Sequence, residues 1–426
     1  MNKRILMIIN EFPPTGESGV QRPLKFVKYL SRAGYKVYVI APKKPTKKVL
    51  DYSLLKEIPE NVHIQKTISC GLTGNRTKSI RDFRYNVNRK PNIFKKIIWK
   101  LLKNINDLIF PIDKQIGWVP FAYFKAIKLI KKFKIKNVYI TGFPYSAFII
   151  GVLLKKKFHE KIFWLADYRD AWQFEPKLDE NINKLRLKII KKTESKIIRY
   201  ADYFVFATDY ITEKYRSEFP EIVDRSITIT NGYDEDDFKK IVQFKFNKFT
   251  FLYMGKLYSF KRSPVPLLNA MKKYLEIDNN FEFNFIHIGT VAQEILDYIS
   301  TQKMNFYNYL GYKSHHNAIS YASGANISVI IVNNDPESKG VLTGKVFELA
   351  RIGNPILALG PRNSLLENFI IENELGEYAF CEDEKEILKA IEKIINKKNN
   401  FRFSRDKISE YSRESLTKKL IECYPK

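Results

Sequence analysis

"RILMIINEFPPTGESGVQRPLKFVKYLSRAGYKVYVI", Arg4 to Ile40, holds the fold of the chain in miniature. Arg4–Ile9 is a short apolar run suited to a buried strand. Val20–Arg32 reads as a helix with Pro23 in its first turn, where a helix tolerates proline. Ala33-Gly34 stops that helix, and Lys36–Ile40 is apolar again. Strand, helix, strand is a βαβ unit, and a chain opening on one builds a doubly wound α/β sheet.

The same alternation returns at strand Asn137–Thr141, helix Ala147–Lys157 and strand Ile162–Leu165. A long basic helix, Ile182–Arg199, then leads to strand Tyr203–Ala207. Near Ser226–Phe246 the pattern breaks at "SITITNGYDEDDF", a strand, an Asn-Gly turn and an acidic stretch. From Phe249 it restarts, with strands expected at 249–254, 283–288, 306–310, 327–331 and 356–358. A second parallel sheet follows, and Ser404–Tyr424 reads as a terminal helix. Residues 42–115 alternate poorly. Within them Phe94–Ile109 gathers its apolar residues on one face, with Lys95, Lys96, Lys100 and Lys103 opposite and Trp99 at the boundary. Such a helix either packs on the sheet or lies in an anionic membrane interface.

The length of 426 residues fits two or three domains, and 45% hydrophobic residues exclude wholesale disorder. Three cysteines, Cys70, Cys381 and Cys423, are too few and scattered for a disulfide framework or zinc cluster. No stretch approaches the apolar length of a membrane-spanning helix, and the run Ile5–Ile9 is too short for a signal-peptide core, so a cytoplasmic chain is expected. The net charge of +27 is unevenly placed: residues 1–200 hold 43 Lys+Arg against 15 Asp+Glu, and the remainder 30 against 31. Codon bias would charge both halves, so the first half is expected to face an anionic partner.

Four loops could carry chemistry. "NEFPPTGESGVQR" (10–22) places Gly16 and Gly19 before a helix N-terminus, where backbone N–H groups attract anions, but it lacks the G-x-G-x-x-G of dinucleotide binding. "WLADYRDAW" (164–172) puts Asp167, Arg169 and Asp170 past a strand's carboxyl end; an arginine between two aspartates can equally be a self-contained ion-pair cluster. "YMGKLYSFKRS" (253–263) offers Gly255 for a tight turn and Lys256, Lys261 and Arg262 as cations for a diphosphate leaving group. "GVLTGKVFELARIGNPILA" (340–358) opens a helix at Gly344, sets Glu348 one turn in and ends it at Gly353-Asn354-Pro355. A carboxylate there can accept both hydroxyls of a ribose while the helix tip faces phosphate.

In this order the segments resemble the GT-B-fold, family 4 (retaining) glycosyltransferases of bacterial surface-polysaccharide assembly. The resemblance also runs through "DKQIGW" (113–118), "TGFPYS" (141–146), "ADYFVFATD" (201–209), "ITNGYDEDDF" (229–238), "YLGYKSHHNAISYASGANISVII" (309–331) and "GKVFELARIGNPILALGP" (344–361). It implies two Rossmann-like domains facing a cleft: an acceptor-binding, membrane-facing domain over 1–240 and a nucleotide-sugar domain over 241–403. It further implies that a terminal helix, 404–426, packs back on the first domain. Carried over by position, Glu348 binds the donor ribose, Arg262 the diphosphate, and Gly344-Lys345 a phosphate. Gly311 to His315 lie near the base, Gly255 and Lys256 belong to the donor site, and Gly16, Ser18 and Gly19 approach the donor from the other domain. Asp170 lies in the acceptor cleft, and the catalytic set is Asp170, Arg262 and Glu348. The expected partners are a UDP- or GDP-sugar, a lipid-linked or oligosaccharide acceptor and the inner, anionic face of the plasma membrane, with no cofactor, metal or nucleic acid.

The chain departs from the family at three places. Gly340 stands where the E-x7-E motif has its first glutamate, with Glu337 three residues earlier. Lys256 stands where many relatives have arginine. His63 and His159, the only histidines before residue 240, do not match the histidine many members carry near the reaction centre. Two other functions fit parts of the sequence. A sugar-nucleotide epimerase can share the architecture. A polyanion binder would use the basic half, although no helix-turn-helix, zinc-finger or ribonucleoprotein motif is present.

Overall fold

The computed structural model describes residues 3–45, 49–69, 111–174, 184–239, 241–258, 262–397, 401 and 404–425. Of Ser18 the backbone alone is described. Cys70, Lys261 and the expected membrane helix Phe94–Ile109, with Lys95, Lys96, Trp99, Lys100 and Lys103, lie outside the described residues.

Contacts group the chain into two compact units, Met1–Ile229 with Thr417–Lys426, and Thr230–Leu416. The first holds a seven-stranded parallel sheet: β1 (Arg4–Ile8), β2 (Lys36–Pro42), β3 (His63–Thr67), β4 (Asn137–Gly142), β5 (Phe163–Tyr168), β6 (Tyr203–Phe206) and β7 (Ser226–Thr228), in the order β3-β2-β1-β4-β5-β6-β7. Its helices are α1 (Gln21–Arg32), α2 (Val119–Phe133), α3 (Ala147–Phe158), α4 (Lys184–Tyr200) and α5 (Asp209–Glu218). Ile5 to Ile8 are fully buried between flanking helices, as a central parallel strand requires. Trp118, Phe148, Trp164, Tyr168, Phe204 and Phe206 fill the core on one face. Asp113, from the "DKQIGW" segment, caps the start of α3 by accepting from Ser146 N–H at 2.7 Å and Ser146 Oγ at 2.7 Å.

The second unit repeats the plan with β8 (Phe249–Met254), β9 (Phe283–Ile288), β10 (Tyr307–Gly311), β11 (Ile327–Ile331), β12 (Ile356–Gly360) and β13 (Gly376–Phe380), ordered β10-β9-β8-β11-β12-β13. Its helices are α6 (Val265–Ile277), α7 (Gln293–Thr301), α8 (His315–Gly324), α9 (Gly344–Ile352), α10 (Leu365–Glu372) and α11 (Glu384–Lys397). Phe251 and Tyr253 of β8 pack on one face of the sheet, Leu252 and Met254 on the other. Each sheet therefore reverses its strand order beside its first strand, at β1/β4 and at β8/β11. That reversal opens a crevice at the carboxyl ends, where such sheets take ligands.

Several expectations change. Strands β3 and β13 are additional, both at sheet edges; a one-sided, half-buried strand such as His63–Thr67 shows no continuous apolar run. The expected terminal helix is a 3-10 turn, Arg405–Tyr411, followed by α12 (Arg413–Glu422), because Ser412 is extended and its Oγ caps the new helix at Ser415 N–H, 3.1 Å away. The second unit begins before residue 240 and runs past 403. Tyr233 N–H donates to Tyr411 O, Arg413 N–H to Tyr233 O, and Arg351 clamps Glu235 with two bonds of 2.7 Å. The last ten residues belong to the first unit, with Tyr424 packed edge-on to Phe163.

Candidate active site

In the second unit the strand β8 ends in a turn built for close approach. A Cβ on Gly255 would lie 2.7 Å from both Lys345 Nζ and Tyr253 Oη, so a side chain there would push both away. Lys345 Nζ donates to Met254 O at 2.5 Å. Burial, then the neighbouring Arg262 cation, hold the Lys345 ammonium down at about 8; Glu348 opposes the shift and Lys256 adds to it. Lys345, Lys256, Arg262 and Glu348 thus form one electrostatic cluster at the carboxyl edge of the sheet. Arg262 also stands beside Tyr253, and its buried Nε has no hydrogen-bond partner among the described residues.

His287, at the end of β9, braces this turn. Its Nε2 is 2.9 Å from Gly255 O and its Nδ1 2.6 Å from Tyr307 Oη. Burial holds the ring at about 4, so it is neutral; Nε2–H donates to the carbonyl and Nδ1 accepts from the phenol. Gly289 follows at φ 142°, and a Cβ there would collide with Gly255 O. Sequence reading passed over both residues. The signal available was a histidine closing an apolar strand, "FNFIHIGT", with glycine two residues on.

The helix α9 begins at Gly344 with Thr343 as its N-cap, yet the Thr343 side chain caps nothing and its buried Oγ1 has no partner among the described residues. Buried polar atoms are ordinarily satisfied, and two orphans beside a cation cluster and a free helix tip mark a place for an anion. Glu348 lies one turn in, and its Oε1 is 2.9 Å from His315 Nε2. The helix stops as the sequence indicates. Gly353 is left-handed at φ 89°, and Asn354 Nδ2 donates to Ala322 O and Ala325 O. Gly311, at φ 69°, ends β10 with open space where a side chain would stand. In place of the first motif glutamate, Gly340 closes a turn in which Asp335 accepts from Ser338 N–H and Oγ.

In the first unit the residues expected together separate into two groups. Asp167 is fully buried, and its partner is Arg22 rather than Arg169. Arg22 Nη2 is 2.7 Å from Oδ1, while Tyr139 and Thr141 donate to Oδ2 at 2.6 and 2.8 Å. Arg169 instead ties three loops together, donating from Nε to Gly142 O at 2.7 Å, from Nη1 to Gly19 O at 2.5 Å and from Nη2 to Glu11 at 3.3 Å. A Cβ on Gly19 would collide with Glu11 Oε2, and one on Gly16 would press on Asp51 at 3.0 Å. Asp170 is exposed just past β5.

No protein-family model and no curated protein matches the sequence. Solved structures do match over their full lengths. Sucrose-phosphate synthase from Thermosynechococcus elongatus aligns with a TM-score of 0.66 at 15% identity, covering 99% of this chain and 98% of that one. A glycosyltransferase from Rickettsia africae aligns at 0.61 and 14%, covering 98% and 97%. An Escherichia coli structure described as trehalose-6-phosphate bound with UDP-2-fluoro glucose aligns at 0.63 and 10%, covering 98% of each chain. The fold is GT-B. In GT-B terms the chain supplies two doubly wound sheets, the second of which brings Gly255, Lys256, Arg262, Gly344, Lys345 and Glu348 to one carboxyl edge.

Proposed function

We propose that the chain is a retaining glycosyltransferase that takes its sugar from a nucleoside diphosphate without a metal and passes it to a lipid-linked or oligosaccharide acceptor in cell-surface polysaccharide assembly. The observation that carries this reading is the pair of orphaned buried atoms, Arg262 Nε and Thr343 Oγ1, beside the Lys345 ammonium and the tip of α9. A diphosphate brings acceptor oxygens for all of them, and preorganised cations stabilise the charge that grows on it as the sugar leaves. Glu348 accepts the ribose hydroxyls, and the space beside Gly311 takes the base. The acceptor hydroxyl attacks the anomeric carbon on the face the diphosphate leaves. The new C–O bond forms as the bond to the diphosphate breaks, and the hydroxyl proton passes to the departing phosphate oxygen.

The test is calorimetric titration of the protein with UDP, GDP and their sugar conjugates, followed by transfer assays with bacterial lipid extract. Binding of one nucleotide, weakened roughly 10- to 100-fold in Glu348→Ala, supports the reading. Failure of every nucleotide to bind removes it. Release of an epimerised donor without any acceptor would turn the assignment to an epimerase.

A further inference from the structure

The crevice at the carboxyl edge of the first sheet has the opposite charge to the basic unit around it. Ile8 of β1 is in register with Ile140 of β4, so the loops after these strands leave the sheet side by side, Asn10–Glu11 next to Gly142–Phe143. Arg169 and Asp170 follow β5, the next strand across. The described residues of these three loops include three carboxylates, Glu11, Glu17 and Asp170, and one cation, Arg169. That cation is spent inside the protein: its Nε donates to Gly142 O, its Nη1 to Gly19 O, and its Nη2 to Glu11 and Phe143 O. A phosphate or carboxylate brought here meets like charge, with the guanidinium already committed.

Two side chains at this edge are unexplained by packing. Asn10 is 3% exposed, and neither its Oδ1 nor its Nδ2 has a partner among the described residues. A buried amide ordinarily has its hydrogen bonds made. Phe143 is 37% exposed, on a loop whose carbonyls at 142 and 143 are both fixed by Arg169. Its ring meets Tyr145 edge-on at 5.8 Å, and Tyr145 stacks on buried Trp172 at 4.6 Å. An aromatic ring is thus presented to solvent on a firm base, beside an unsatisfied amide and an exposed aspartate.

We infer that this crevice takes an uncharged pyranose, the apolar face of its ring on Phe143 and its hydroxyls on the Asn10 amide and the Asp170 carboxylate. A neutral sugar needs this mixture. Its C–H face stacks on an aromatic ring, its hydroxyls donate and accept as an amide does, and it brings no charge for the carboxylates to repel. Calling this sugar the acceptor rests on the transferase reading. On that reading the acceptor is narrowed to a saccharide whose accepting residue carries neither phosphate nor carboxylate.

The test is titration of the full chain, followed by saturation-transfer NMR, with the methyl glycosides of glucose, galactose, mannose and N-acetylglucosamine, set against glucose 6-phosphate and glucuronate. At least one neutral glycoside is expected to bind, and both anions at least ~10-fold more weakly. Phe143→Ala is expected to weaken glycoside binding roughly 5- to 10-fold, and Phe143→Tyr to restore it. Asn10→Leu keeps the volume and removes an unsatisfied buried amide. It should bind the glycoside more weakly yet melt at or above the wild-type temperature, a split that a packing role alone would not give. The inference is overturned if no neutral glycoside binds, if the anionic sugars bind as well as the neutral ones, or if Phe143→Ala binds as the wild type does. Nucleotide titration of the same samples keeps the two readings apart. Nucleotide binding without glycoside binding removes this inference alone, and glycoside binding without nucleotide binding removes the transferase reading alone.

Discussion

His315 Nε2 lies 2.9 Å from Glu348 Oε1, and the other ring nitrogen is 3.9 Å from Asp237 Oδ2. The imidazole is held between two carboxylates of the second unit, and Glu348 is positioned by its hydrogen bond to the ring. If Glu348 receives ribose hydroxyls, Glu348→Ala removes a charged acceptor worth about 1.5–3 kcal/mol. Nucleotide affinity should then fall roughly 10- to 100-fold. His315→Ala removes only the positioning contact and should cost about fivefold or less. Calorimetry with the nucleotide that binds wild type decides it. Equal affinity in Glu348→Ala and wild type would remove the carboxylate from the site.

Lys345 gives the site a pH signature. Burial and Arg262 hold its ammonium at about 8, below the ordinary 10.5. Between those values the unfolded chain binds more protons than the folded one, so stability of the free protein rises with pH across that window. A bound diphosphate favours the charged ammonium. Nucleotide affinity should therefore fall as pH rises through about 8. Lys345→Met should bind more weakly at neutral pH and lose this dependence. A wild-type affinity that is flat from about pH 7 to about pH 9.5 would show that the ammonium does not meet the ligand.

Two left-handed glycines separate packing from backbone strain. At Gly289 a Cβ would strike Gly255 O, and the φ of 142° is foreign to other residues. Gly289→Ala should cost about 3 kcal/mol or more and distort the Gly255 turn, lowering nucleotide affinity as well. At Gly311 the φ is 69° but no atom lies within 4 Å of a Cβ, so Gly311→Ala should cost only about 1 kcal/mol. Urea unfolding of both variants tests the contrast, and similar losses would contradict it.

The buried pair Arg22–Asp167 links α1 to β5 across 145 residues of sequence. Burial would raise the Asp167 carboxyl, but Arg22, with Tyr139 and Thr141, holds it below its ordinary value. Its contribution is present at neutral pH and lost as pH falls through that lowered value. Asp167→Asn leaves Arg22 charged and underpaired in the core, with an expected cost of about 3–5 kcal/mol. Thermal melts at neutral pH measure it, and a loss within experimental error would mean that water reaches Arg22.

The helix α9, its Gly353 stop and the strand after it were legible because each rests on neighbours in sequence: an apolar period, a left-handed glycine, a proline beyond. So were the interior strands, whose burial on both faces leaves continuous apolar runs such as Ile5–Ile9. Two of the edge strands were not, since His63–Thr67 and Gly376–Phe380 each pair on one side only and their residues are mostly polar or only half-buried. Nor could sequence pair Arg22 with Asp167, because an arginine in a helix that also carries Lys25, Lys28 and Arg32 reads as solvated and its partner lies 145 residues away. His287 escaped for a related reason: its two partners are Gly255, in the turn after β8, and Tyr307 of β10. The glycines and cations of the site could be marked from residue type and order, but the orphaned atoms that point to an anion exist only once β8 and α9 are brought together.

Glu194 is the clearest case of a residue whose setting reverses its apparent role. It sits among Lys191, Lys192 and Lys196 in α4, where a carboxylate would ordinarily face water and pair with them. Its helical register is that of Ile190, Ile197 and Ile198, all buried, so the side chain points into the core. There Tyr215 Oη donates to Oε1 at 2.5 Å, Oε2 has no partner, and Tyr168 lies close by. Burial pushes the carboxyl up to about 8; the Tyr215 bond opposes the shift, and the charge of Glu218 adds to it. The folded protein therefore binds this proton more tightly than the unfolded chain, whose glutamate titrates near 4.5. The contribution is fully present below that value, shrinks as pH rises, and is exhausted as pH passes about 8. Glu194→Gln keeps the shape, still accepts from Tyr215 and cannot ionise. It should melt at the same temperature as wild type below about pH 4.5 and at an increasingly higher one as pH rises toward about 8. Melting curves across that range provide the check: a Glu194→Gln variant less stable than wild type at alkaline pH would mean that the carboxylate is charged in the fold and held by a cation.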